Sequence, residues 1–115
     1  MKDKKNHLVV IWSSGDRDVA LKTAFMYTYN AKKHGWWEKV TLVVWGPSAK
    51  LLVKDRELQE YVKKMKEDGV ELEACRSCSD MYDCSEALEK LGIDVKYMGV
   101  PLTEYLKGGS SVITF

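Results

Sequence analysis

Residues 7–13 read His-Leu-Val-Val-Ile-Trp-Ser, an apolar run in which successive side chains do not alternate between apolar and polar. A strand written that way needs cover on both faces, which is the situation of a strand inside a parallel sheet. The pattern returns at 39–45, Lys-Val-Thr-Leu-Val-Val-Trp, and Gly46-Pro47 stops it with the two residues least able to continue a central strand. Between the two runs, residues 16–34 place Ala20, Ala24, Tyr27 and Ala31 three or four apart, one face of a helix that Gly35 ends. Parallel neighbours require such a crossover.

The unit then repeats. Residues 48–52 fit a short helical turn, and 55–68 carry Leu58, Tyr61, Val62 and Met65 on one helical face before Gly69. A third strand, 70–75, alternates more than the first two, which predicts an edge position or one partly wet face. Asp83 and Glu86 stand at capping-box spacing and predict a helix over 84–91. A short strand at 94–98, a turn at Gly99-Val-Pro101, a short helix over 102–107 and a last strand at 111–115 complete the chain. The fold class implied is α/β, a three-layer α/β/α sandwich around a five-stranded parallel sheet with right-handed connections, layered as in flavodoxin. The 115 residues make one domain, 1–115, with 1–6 as a loose N-terminal segment.

Composition removes several functions. Eighteen Lys and Arg against seventeen Asp and Glu leave a net charge of +1, too balanced for a nucleic-acid face. The longest purely apolar run, Leu8 to Trp12, is far shorter than the roughly 20 residues of a membrane span or the core of a secretory signal. Neither nucleic acid nor membrane is an expected partner. Three Cys, an odd number without a signal peptide, read as free thiols in a reducing compartment, so the expected location is cytoplasmic.

In a parallel sheet every strand's carboxyl end reaches the same rim, and the loops there form ligand sites. The loops are Ser13-Ser14-Gly15-Asp16, Trp45-Gly46-Pro47-Ser48, Cys75-Arg76-Ser77-Cys78-Ser79-Asp80 and Met98-Gly99-Val100-Pro101. Cys75 ends a strand and Cys78 follows at C-x-x-C spacing where the chain turns toward a helix, so exposed amides and Arg76 are expected to favour a thiolate, while Asp80 and Asp83 oppose it. Cys75 reads equally well as a small hydrophobe closing a core strand. The loop around Ser14 and Gly15 offers a weak anion cradle, although Asp16 is also an ordinary helix N-cap. Trp12 and Trp45 read as packing first and as walls of a rim pocket second. Trp36-Trp37, at the opposite rim, reads as a subunit contact. With only His7 and His34 to join the thiols, and both placed elsewhere, no metal site and no cofactor are expected.

These residues resemble the DsrE/DsrF-like (DsrEFH-like) family, specifically its YchN-like branch. The likeness runs over nearly the whole chain, through Ser13-Ser14-Gly15-Asp16, Val44-Trp45-Gly46-Pro47, Gly69-Val70, Cys75-Arg-Ser-Cys78-Ser-Asp80, Leu91-Gly92-Ile93 and Val112-Ile113-Thr114-Phe115. The resemblance implies a persulfide-bearing thiol at Cys75, Cys78 as the second Cys of the branch, and assembly as a trimer or hexamer. It further implies sulfur donor and acceptor proteins. Such a carrier is consumed and regenerated and need not be an enzyme; if it is active as one, it is sulfurtransferase-like. Two alternatives stay open: a dithiol redox protein using Cys75 and Cys78, and an oligomeric small-molecule binder at the rim with incidental thiols.

Overall fold

The computed structural model describes residues 6–115. The expected loose stretch 1–6 lies outside them except for Asn6, whose carbonyl accepts the Lys39 N–H at 3.1 Å. Five strands form one parallel sheet: β1 (His7–Trp12), β2 (Lys39–Val44), β3 (Glu71–Cys75), β4 (Asp94–Lys96) and β5 (Ser111–Thr114), in the order β4-β3-β2-β1-β5. The helices are α1 (Arg17–Val19, continuing through a π turn at Ala20–Ala24 into Phe25–Lys33), α2 (Pro47–Leu52), α3 (Arg56–Glu67), α4 (Arg76–Met81), α5 (Ser85–Lys90) and α6 (Gly99–Lys107). No helix among the described residues is long and apolar enough to cross a membrane.

Strand order decides how the faces are covered. From β1 to β4 each connection steps in one direction, so right-handed crossovers lay their helices on one face. The step from β4 to β5 returns past three strands and carries α6 over the other face. The first face holds the main core, in which Leu8, Val10, Trp12, Leu42 and Val44 meet Ala24, Phe25, Leu52, Leu58, Met65 and Leu88. The second face holds a small cluster of Val9, Ile11, Val43, Cys75 and Met98, with Leu102 and Tyr105 of α6 packed on it. The sandwich has three layers of very unequal weight.

Several local expectations change. Ala20, Ala24 and Ala31 are buried as expected, but the π turn adds a residue to its coil, and Phe25 and Thr28 join them in place of Tyr27. Thr28 thus faces the core and Tyr27 is turned outward, the reverse of the simple helical spacing. Thr28 Oγ1 donates to the Ala24 carbonyl at 2.6 Å. β3 is not an edge strand; it lies between β2 and β4, and its alternation arises because Glu71 and Glu73 point to the thin face. The capping box is not formed, since Cys84, not Asp83, is the N-cap of α5 and makes no side-chain cap bond. Asp83 instead takes φ +56° in the turn that ends α4. The expected turn at Gly99-Val-Pro101 is the first turn of α6, where proline costs no hydrogen bond because that N–H has no partner within the helix.

Candidate functional site

Strand parity places the thiols. On β3, Leu72 and Ala74 enter the main core, so Cys75 points to the thin face among Val9, Ile11, Val43 and Met98. It is 5% exposed. Cys75 is also the N-cap of α4, with extended backbone (φ −76°, ψ 115°), and the helix starts at the next residue. One turn of helix brings Cys78 back toward Cys75, and Cys78 packs against the small cluster that contains it. Cys78 is the outer member, half-buried beside Trp45.

Burial pushes the Cys78 thiol above its ordinary value, and the neighbouring Cys75 thiol pushes the same way. The nearby backbone N–H of Gly46 opposes both. Gly46 has φ +71° and ψ −141°, a conformation open essentially to glycine alone. Of the expected rim residues, Trp45, Gly46, Cys75 and Cys78 therefore converge.

The others do not join them. Ser13 and Ser14 donate their N–H groups to the Phe115 carbonyl at 2.8 and 3.2 Å. Asp16 Oδ1 caps α1 by accepting from the N–H groups of Asp18 and Val19 at 2.8 and 3.3 Å, and Ser14 Oγ accepts from the Asp16 N–H at 3.0 Å. The anion cradle expected there is filled by the chain's own groups. Gly15 lies against Pro47, where an added Cβ would stand 3.3 Å from the proline Cβ. Arg76, expected beside the thiolate, instead turns toward α5 and β4: it donates to Glu89 Oε2 and to the Val95 carbonyl, each at 3.0 Å. Asp80 accepts from Ser85 Oγ. Trp12 is fully buried in the main core, stacked edge-on to Phe25 at 4.7 Å, so it and Trp45 lie on opposite sides of the sheet. Cys84 is also in the main core, and burial, followed by the nearby Asp83 and Asp80 charges, raises its thiol. The three thiols do not converge on one point.

Sequence reasoning missed a polar network under α6. Tyr105 Oη donates to Glu73 Oε1 at 2.8 Å, and Glu73, 7% exposed, pairs with Lys96 at 2.9 Å. Burial first and then the Glu73 carboxylate push the Tyr105 phenol far up, so it stays protonated as the donor. The Tyr105 ring meets the His7 imidazole edge-on at 5.3 Å, and the two ring nitrogens of His7 pair with Ser110 Oγ at 3.1 Å and Thr41 Oγ1 at 2.8 Å. The only hint in the sequence was Glu73 within an otherwise buried strand. Away from the thiols, an open apolar groove of about 680 Å³ runs between α1 and β5, walled by Tyr27, Trp36, Trp37, Ile113 and Phe115. Trp36 is 56% exposed, whereas Trp37 is half-buried and its Nε1 donates to Tyr27 Oη at 3.1 Å.

Comparison with known proteins agrees with the fold. A conserved protein of unknown function from Bacteroides thetaiotaomicron is 33% identical, with a TM-score of 0.95 over 100% of this chain and 99% of that one. The ychN protein from E. coli shares the fold at 13% identity, with a TM-score of 0.70 over 95% and 97% of the two chains. None of the curated proteins matches the chain. Residues 6–115 match the DsrE/DsrF-like family, and it is to this family that the chain belongs.

Proposed function

We propose that the chain carries sulfane sulfur as a persulfide on Cys75, with Cys78 as the outer thiol of the pair. Membership of the DsrE/DsrF-like family supports a connection with sulfur metabolism. The observation that carries the reading is the placement of both thiols in one small cluster at the carboxyl rim of β3, with Trp45 packed on the same cluster. In the transfer, the Cys75 thiolate attacks the terminal sulfur of a donor persulfide. The donor's S–S bond breaks and the donor leaves as a thiolate, so sulfur moves without net oxidation. Neither a cofactor nor a metal takes part. The same reading has the protein act in the cytoplasm as a homo-oligomer, a trimer or hexamer, between sulfur donor and acceptor proteins.

The placement of Cys78 one helical turn from Cys75, in the same cluster, also favours a second fate for the persulfide. Attack of the Cys78 thiolate on the Cys75 sulfur forms the Cys75–Cys78 disulfide and expels hydrosulfide, after which an external dithiol reductant restores the pair. Incubation with a cysteine desulfurase and cysteine, followed by intact-mass measurement, tests both. The expected result is an adduct of one sulfur atom in the wild type, absent from Cys75→Ser and longer-lived in Cys78→Ser. A Cys78→Ser variant that gains no sulfur, or an adduct that survives in Cys75→Ser, overturns the carrier assignment.

A further inference from the structure

We infer that α6 is a displaceable cover over Cys75, latched by the hydrogen bond from Tyr105 to the buried Glu73. The inference rests on the carrier reading for its purpose, but not for its observations. Cys75 is 5% exposed, yet a carrier thiol must be reached by a second protein. The cover over its face of the sheet is thin. In the small cluster that contains Cys75, the helical side chains are Leu102 and Tyr105 of α6 together with Cys78 of α4. No residue of α6 is buried, in contrast to α1, α3 and α5, which anchor the main core. Val100 and Leu106 on α6 are 69% and 60% exposed, so much of the helix contributes nothing to its own retention.

Beyond the packing of Leu102 and Tyr105 and the buried Met98 at its N-cap, what holds α6 is polar. Tyr105 Oη donates to Glu73 at 2.8 Å, Glu73 is held in turn by Lys96 at 2.9 Å, and the Tyr105 ring rests on His7. Just beyond the helix, Ser110 Oγ pairs with the His7 ring at 3.1 Å. The helix opens at Gly99 and closes at Gly108-Gly109, with Gly109 at φ +92°, so glycine stands at both ends where the backbone must turn during a displacement. Glu73 and Cys75 lie two apart on β3 and share a face, so the latch and the thiol are set on the same stretch of strand. An element with few buried contacts and one principal tether opens locally, ahead of the rest of the molecule.

Alkylation of the full chain by N-ethylmaleimide, read cysteine by cysteine by peptide mass spectrometry, tests this. Cys78→Ser serves as the background, so that no disulfide intervenes. Cys84, buried in the main core on the opposite face, reports global unfolding within the same molecule. Tyr105→Phe keeps the ring and removes only the hydroxyl. It is expected to speed Cys75 labelling about ten- to a hundredfold, the factor a hydrogen bond to a charged group is worth, with Cys75 remaining far faster than Cys84 and far less dependent on added urea. Restoring the tether by another donor, in Tyr105→His, should return part of the protection. A wild-type Cys75 that labels no faster than Cys84, or with the same urea dependence, would mean access by global unfolding and would overturn the cover, as would an unchanged Cys75 rate in Tyr105→Phe. A protein that passes this test but never takes up sulfane sulfur keeps its cover and loses the carrier assignment, so the two failures are distinguishable.

Discussion

Asp83 occupies a backbone position that other helices of this chain give to glycine. After α4, the Cys84 N–H reaches the Ser79 carbonyl at 2.8 Å and the Asp83 N–H reaches the Asp80 carbonyl at 3.1 Å, with Asp83 at φ +56° between them. The same pair of bonds closes α3 around Gly69 and α5 around Gly92. An L-residue with a Cβ is held in the left-handed region at a cost of about 1–2 kcal/mol, somewhat less for Asp. Asp83→Gly is therefore expected to raise stability by about 1 kcal/mol, visible as a higher urea midpoint at unchanged slope. No gain would mean that the Asp83 side chain offsets its own strain. This turn was misread from the sequence because Asp83 and Glu86 mimic a helix start. The spacing cannot show that the left-handed turn has already claimed Asp83.

Among the elements, β1 is tied at its first residue rather than along its length alone. His7 is 5% exposed, and its ring nitrogens join Thr41 on β2 and Ser110 just before β5. Burial holds its pKa below the ordinary 6.5; Lys39 acts in the same direction, while Glu71 and Glu73 oppose both. The unfolded chain thus binds the proton more readily than the folded one. The stability that neutral His7 contributes is complete above about pH 6.5 and is lost as the pH falls below it. Urea midpoints at pH 8 and pH 5 should show a larger acid-side drop in the wild type than in His7→Gln; equal drops would show that the histidine carries none of it. The rim loops show the same dependence on partners outside the element. The Ser13-Ser14-Gly15-Asp16 loop resembles an anion site when read alone, but the Phe115 carbonyl, about a hundred residues away, takes its amides.

Taken whole, the molecule has one deep core and one shallow one, and its stability should divide accordingly. Leu58 is fully buried beneath α3, so Leu58→Ala is expected to cost about 2–5 kcal/mol. Leu102 is only half-buried on the thin face, and Leu102→Ala should cost about 1 kcal/mol. Chemical denaturation of the two variants checks the difference, and native-state hydrogen exchange should release the amides of α6 well before those of α1 and α3. Similar costs for the two substitutions would mean that the faces contribute alike. The unequal layers were not legible in the chain, because the segments that become α5 and α6 are both short amphipathic helices. Their faces differ only because one connection runs onward to β4 and the other runs back to β5.

Local sequence was enough to specify a parallel α/β domain. Continuous β-branched runs demand cover on both faces, and the helical segments between them are the only connections that return each strand in the same direction. It also set two thiols three residues apart at a strand end, since that spacing is a property of the chain itself. Tertiary structure alone decided that Cys75 faces the thin side, that Arg76 turns away from it, and that a hydroxyl 32 residues beyond Glu73 fastens the helix above it. Such contacts depend on strand order and register, which join residues remote in sequence and so leave no periodic trace along the chain.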